Sequence, residues 1–228
     1  MDITGKRSCE RTMALSGIVA IVVLLAGIFA APTPPQPGDA IETIRAYYVG
    51  HTTGVRWYVF ASALSAALLL VFVSALASAM RRVRSGGDTA AAATFGAGVL
   101  TLAASLAGIA SFGTLASGTA ASGEPGLVRA LFDLGNMSYN VGDFMLAALV
   151  AFPAVVSLRA DFLPRWLGWT GILVSVAWAV ASVSMLVQDG PFAGPNGTYG
   201  LSVTIGFSLW IAASSIALFR FPRPGRTA

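Results

Sequence analysis

Mostly apolar residues fill six stretches of the chain, roughly 14–31, 57–80, 90–112, 137–158, 166–187 and 200–219. Each approaches the ~20 residues that a helix needs to cross a bilayer. Barrel strands would instead alternate over about 10 residues each. The pattern therefore predicts an all-α fold, a single polytopic membrane bundle of six transmembrane helices over residues 1–228. The start of the fourth span is open between Gly126 and Tyr139. The first has a basic leader (Lys6, Arg7, Arg11) and Ala30-Ala31 behind it, as a signal peptide would. Its apolar run exceeds the usual 7–15-residue signal core, and five spans follow, so it is read as a retained helix.

Between the first two spans the pattern changes. Pro32, Pro34, Pro35 and Pro37 make an extended, stiff segment. Beyond it Ile41, Ile44 and Tyr48 recur at helical spacing. Asp39 is placed to cap, with Glu42 three residues on, and Gly50 to terminate. A short amphipathic helix at about 40–49 is expected on the outer surface.

Composition agrees with this picture. Hydrophobic residues are 56% of the 228, charged residues 11%, and the mean hydropathy is +0.75. Soluble domains carry about 25% charge, so a soluble enzyme, a disordered chain and a disulfide scaffold are excluded. The charges that remain are asymmetric. With the N-terminus inside, the inner segments hold Lys6, Arg7, Arg11, Arg81, Arg82, Arg84, Arg159, Arg165, Arg220, Arg223 and Arg226, and the outer ones only Arg45, Arg56 and Arg129. Eleven against three is a positive-inside bias, which places both termini in the cytoplasm of a bacterial inner membrane. It also accounts for the net +4 as an orientation signal, with no folded basic face for nucleic acid. Arg81, Arg82 and Arg84 read as a stop-transfer cluster that could also meet anionic headgroups. The lone Cys9 has no intramolecular disulfide partner.

Small residues mark the packing. They crowd Thr89 to Gly118, form a stripe at Gly168, Gly171, Ser175, Ala179 and Ser182, and recur at Ser202 and Gly206. Such stripes let helices approach closely in lipid; internal packing and a homo-oligomer contact are both compatible with them. The five tyrosines fall toward the outer side, and Trp166 and Trp169 flank the inner one, as an interfacial belt would. Asn196-Gly197-Thr198 matches a glycosylation sequon, which carries no weight in a chain of bacterial character. Two inverted halves are topologically allowed, but no residues match between them.

The fourth span holds the unusual chemistry. Arg129, Asp133, Asn136, Asn140 and Asp143 recur at steps of four, three, four and three, within an arc of roughly 80°. Gly135 and Gly142 lie on another face, where a second helix could press close, and Pro153 lies further along. Counting back about 20 residues from Leu158 puts Asp143 about 6 Å inside the outer boundary and Asp133 about 9 Å outside it. The helix therefore projects, and its projecting Leu127, Leu131, Phe132 and Leu134 need a lid, for which the loop helix is available. The expected site is an outward-facing polar pocket of Tyr47, Tyr48, His51, Arg56, Arg129, Asp133, Asn136, Asn140 and Asp143, because an ionisable group at membrane depth is a functional candidate. Against this, Arg129 and Asp133 can pair at i, i+4, Asn136 and Asn140 can be interhelical glue, and His51 can be a wet loop residue.

One His and one Cys cannot build a His/Cys metal site or a bis-histidine haem clamp. No zinc helix, phosphate loop or nucleophile elbow is present, so no catalytic residue, metal or cofactor is assigned.

Leu163-Pro164-Arg165-Trp166-Leu167-Gly168-Trp169, Arg129-Ala130-Leu131-Phe132-Asp133-Leu134-Gly135, Tyr47-Tyr48 and His51 together resemble an uncharacterised bacterial multi-pass family, frequent in actinomycetes and catalogued as a domain of unknown function. The resemblance implies a six-helix fold over nearly the whole chain and no activity. Three functions stay open: binding or transport of a small solute, lipid or proton in the outer pocket; a structural subunit packing against a membrane partner; and, third, an intramembrane enzyme, which lacks a constellation.

Overall fold

The computed structural model describes residues 3–83, 87–160, 162–186 and 198–220, with side chains from Thr12 onward except 183, 184 and 198. Arg84, Asp161, Asn196, Gly197, Arg223 and Arg226, and the side chains of Lys6, Arg7, Cys9 and Arg11, lie outside the described residues. Among the described residues the fold is all-helical: α1 (Ile3–Ile28), α2 (Ile41–Gly50), α3 (Thr52–Met80), α4 (Gly87–Thr114), α5 (Pro125–Ala160), α6 (Arg165–Ala181) and α7 (Thr198–Arg220).

Helix ends follow local chemistry. α1 stops before the proline segment. α5 opens on Pro125, whose missing N–H costs nothing at a first helical position. α4 leaves through a wide turn, Leu115–Thr119, in which Gly118 takes φ 118°, a conformation that residues with a Cβ rarely adopt. α5 is 36 residues long and runs unbroken through Pro153, about 54 Å at 1.5 Å per residue. It projects beyond a ~30 Å hydrocarbon layer.

Thr52–Met80, Gly87–Ser122, Pro125–Ala160 and Tyr199–Arg220 are long and apolar enough to cross a membrane, and Thr12–Ile28 and Arg165–Ala181 are shorter apolar helices. The ring's outward faces carry large exposed apolar side chains on every helix, among them Val22, Phe60, Leu100, Phe144, Leu173 and Leu209. Water does not tolerate so continuous an apolar surface; this is a helical membrane protein.

Six helices close a ring. α1 packs on α3, α3 on α4, α4 on α5, α5 on α6, α6 on α7, and α7 returns to α1. Small residues set the close approaches. A methyl added at Gly135 would meet the Phe112 ring, one at Gly108 the Tyr139 ring and the Gly135 carbonyl, and one at Gly142 the Ala104 Cβ. Gly168 and Gly171 press α6 onto Ala154 of α5, and Ser175 Oγ donates to the Ala147 carbonyl at 2.8 Å. The expected stripe is thus internal packing at these positions, whereas Ala179 is exposed.

The apolar interior falls into two clusters. The larger fills the end away from α2 and includes Phe72, Leu76, Met80, Val150, Leu167 and Ile211. The smaller lies under α2 and joins Ile44, Tyr48, Val55, Leu115, Val128 and Phe132.

Candidate functional site

α2 lies across one end of the ring. Its amphipathic pattern works as expected: Ile44 and Tyr48 are buried and Ile41 packs beside them. Asp39 does not cap it. The helix starts after Ala40 with no side-chain cap, and Asp39 Oδ2 accepts instead from the Gln36 backbone N–H at 2.8 Å, folding the preceding turn. The lid covers Val128 and Phe132 but leaves Leu127 and Leu134 exposed.

Two arginines fasten the lid. Arg45 of α2 donates through Nε to the Ala120 carbonyl (3.0 Å) and through Nη2 to those of Ala121 (3.3 Å) and Gly123 (2.8 Å). These carbonyls end the extension of α4, where a cation is electrostatically favoured. Arg129 of α5 donates to the carbonyls of Pro37 and Asp39 and, through Nε, to Asp133 Oδ2 at 2.8 Å. Tyr47 OH donates to the Pro32 carbonyl at 2.8 Å. Burial pushes the Tyr47 phenol up to about 12, with nearby Tyr58 adding to the shift. Tyr48 is raised as well, first by burial and then by Tyr47 and Tyr58. Both are neutral at physiological pH.

Beneath the lid is an aromatic layer. Tyr48 stacks on Phe112 with centroids 6.3 Å apart, and Phe112 stacks on Tyr139 at 6.0 Å. Phe132 packs against both Tyr48 and Phe112. The hydroxyls of Tyr58 and Tyr139 meet at 3.2 Å.

Under that layer, between the two apolar clusters, the ring encloses a cavity of about 280 Å³. All six ring helices contribute to its wall, which is mostly apolar, with Leu69, Val73, Leu146, Leu149 and Phe207 on its lower part. A few polar groups interrupt the wall. Ser62 Oγ, Thr101 Oγ1 and Trp178 Nε1 are buried with no hydrogen-bond partner. Asp143, half-buried, also faces the cavity and has no hydrogen bond or ion pair to any described residue. Among the described residues no Lys, Arg or His lines the wall.

The nine expected site residues divide. Tyr47, Tyr48, Asn136 and Asp143 line the cavity. Asn136 is buried, its Nδ2 donating to the Phe132 carbonyl at 2.9 Å. Asn140 is buried with Oδ1 unpartnered, but is not on the wall. Arg129 and Asp133 form an i, i+4 pair at the edge of the lid. Arg56 is exposed. His51 lies on a separate shallow groove between Ala30, Pro32 and the α2–α3 junction, with Nδ1 3.1 Å from the Tyr47 carbonyl. Tyr58 and Tyr139 line the cavity too: Tyr48, Tyr58 and Tyr139 have ring or hydroxyl partners on neighbouring helices, whereas Tyr47 lines it from the lid, its hydroxyl on the Pro32 carbonyl. Trp166 and Trp169 are exposed, as interfacial anchors would be. Tyr58, Ser62, Thr101, Tyr139, Trp178 and the clamp role of Arg45 were not singled out by the sequence pattern. They come from five different helices, and only the ring brings them together.

A ring of apolar helices around a partly polar cavity defines a helical membrane protein with an internal cavity. Residues 13–216 match the family described as domain of unknown function DUF4386, and the chain belongs to that family. Searches among curated proteins and among solved structures found no match.

Proposed function

We propose that the protein is a six-span inner-membrane protein, both termini cytoplasmic, that binds a small, mainly apolar molecule in the cavity between its two cores and admits it from the α2 side. The observation that carries the reading is the set of unpartnered polar groups on that wall: Ser62 Oγ, Thr101 Oγ1 and Trp178 Nε1, with the Asp143 carboxyl beside them. Buried polar groups are almost always hydrogen-bonded, and leaving one unpaired costs roughly 1–3 kcal/mol. Gln36 Oε1, Asn140 Oδ1, Ser214 Oγ and Ser215 Oγ are also unpartnered but lie off the wall; what marks the void is that three such groups and a carboxyl converge on it. An apolar pocket with a few convergent polar groups is the usual form of a small-molecule site.

Orientation has its own support. Arg81 and Arg82 follow a helix, Arg159 and Arg220 lie in last turns and Arg165 opens a helix, all at the end of the ring away from α2. The reading agrees with the positive-inside rule and with α2 as an outer lid.

Native mass spectrometry of the full chain released from lipid nanodiscs tests the proposal. The expected result is a retained small molecule on the wild type and none on Ser62→Phe, which fills the void. A wild type without adducts, combined with a Ser62→Phe protein that is more stable and otherwise indistinguishable, would sink it and favour a structural subunit.

A further inference from the structure

We infer that the ligand of this cavity is an amphiphilic organic cation, an ammonium group attached to a compact apolar body, with Asp143 as its counter-charge. The inference rests on the proposed cavity site and names its substrate class.

Three observations converge. First, among the described residues Asp143 is the one acidic group on the wall and no basic side chain faces it there. A carboxylate against an apolar wall is costly unless it binds a proton or meets a positive group, and no Lys, Arg or His among the described residues meets it there. The wall therefore suits a cation brought by the ligand.

Second, the space next to Asp143 is aromatic. Tyr139 is one helical turn away on the same helix, its ring stacked on Phe112 and its hydroxyl against Tyr58. Residues four apart on a helix are neighbours, so an ammonium at Asp143 would sit within reach of the Tyr139 face, and ring faces attract desolvated cations. Ser62 Oγ and Thr101 Oγ1, unpartnered and almost fully buried, can turn their lone pairs toward an ammonium's positive charge. Thr101 is at the level of Asp143, because Gly142 packs against Ala104 and the Thr101 carbonyl on α4.

Third, the remainder of the wall has the opposite character. Leu69, Val73, Leu146, Leu149 and Phe207 lie below Asp143 toward the larger core. A charged head at Asp143 and an apolar body among these residues satisfy both halves at once. An organic anion would meet Asp143 as a like charge, and a small inorganic cation would leave the apolar half empty.

Binding of two isosteres to the purified full chain in nanodiscs decides the matter. Benzyltrimethylammonium carries a permanent charge, and neopentylbenzene has the same shape without it. The wild type should prefer the ammonium by about tenfold or more. Asp143→Asn should erase that preference, Asp143→Glu should keep it, and Ser62→Phe should lose both ligands. Equal affinities in the wild type, or a preference that survives Asp143→Asn, would overturn the charge assignment while leaving the cavity reading intact. Failure of both probes to bind the wild type, with Ser62→Phe indistinguishable from it, would overturn both. If Asp143→Asn is not recovered folded, Asp143→Ala takes its place, with the same expected loss of preference and the same overturning result.

Discussion

The hydroxyls of Tyr58 and Tyr139 meet at 3.2 Å although 81 residues separate them in the chain. Their helices, α3 and α5, both flank α4 and scarcely touch each other, so this bond joins two walls of the ring directly at the roof of the cavity. Neither hydroxyl has another hydrogen-bond partner among the described residues, and removing one leaves the other stranded. Tyr58→Phe and Tyr139→Phe should each lower stability by about 1–2 kcal/mol, while the double variant should cost no more than either alone. Thermal unfolding of the four proteins in nanodiscs closes the cycle; fully additive losses would show that the hydroxyls do not depend on each other.

Arg45 and Asp133 make opposite predictions although both are charged residues at the lid. Arg45 reaches three carbonyls of the α4 extension, and without it those acceptors lose their donor. Arg45→Met should cost about 1–3 kcal/mol and raise amide exchange across residues 41–50. Asp133→Asn removes only an exposed i, i+4 partner, a type of pair worth little, and should stay within about 0.5 kcal/mol of the wild type. Hydrogen exchange resolved by mass spectrometry checks both, and faster α2 exchange in Asp133→Asn than in Arg45→Met would reverse the assignment of the clamp.

Tyr47 gives the lid an alkaline limit. Its phenol is raised to about 12 by burial, with Tyr58 contributing, against about 10 in an unfolded chain. The neutral form is therefore favoured in the folded state. The associated stability is complete below pH 10 and is lost as pH rises from 10 through 12. Ionisation would also remove the proton that Tyr47 OH donates to the Pro32 carbonyl. A pH titration of unfolding in the wild type and in Tyr47→Phe should show a steeper alkaline fall in the wild type. Parallel curves would mean that Tyr47 does not contribute.

Much of this fold is legible along the chain because apolar runs, prolines and the period of α2 are local signals. The family resemblance drawn from the Arg129–Gly135 and Leu163–Trp169 segments also held. The site was legible only in part. The polar stripe of Arg129, Asp133, Asn136, Asn140 and Asp143 does share one face, but the cavity meets α5 along a face centred on Phe132, Tyr139 and Leu146, with only Asn136 and Asp143 of the stripe at its edge. At 100° per residue that face is centred roughly 90° away. Which face turns inward is set by Gly108, Gly135 and Gly142 closing α4 onto α5, and a single helix's periodicity cannot report its neighbour. Asp39 failed as a cap for a related reason: the proline segment bends so that the Gln36 N–H reaches the carboxylate first. Arg45 acts on carbonyls 75 or more residues away, beyond any local pattern.

The same glycines give the last prediction. A methyl at Gly135 would lie 2.4 Å from Phe112 Cε1, and one at Gly108 would lie 2.8 Å from the Tyr139 ring and 2.9 Å from the Gly135 carbonyl oxygen. The two sites differ in what can give way. Phe112 is a side chain and can rotate, at the expense of its stack on Tyr139; the Gly135 carbonyl is backbone and can move only with α5. Overpacking of this kind costs about 1–3 kcal/mol, so Gly135→Ala should fall in that range and Gly108→Ala at or above its upper end. Gly96, on the same helix as Gly108, has open space around it, and Gly96→Ala should be neutral or stabilising by up to about 1 kcal/mol. Unfolding of the three single variants in nanodiscs gives the order. A Gly108→Ala protein as stable as Gly96→Ala would mean that α4 and α5 do not meet at this register, and the cavity face assigned to α5 would have to be redrawn.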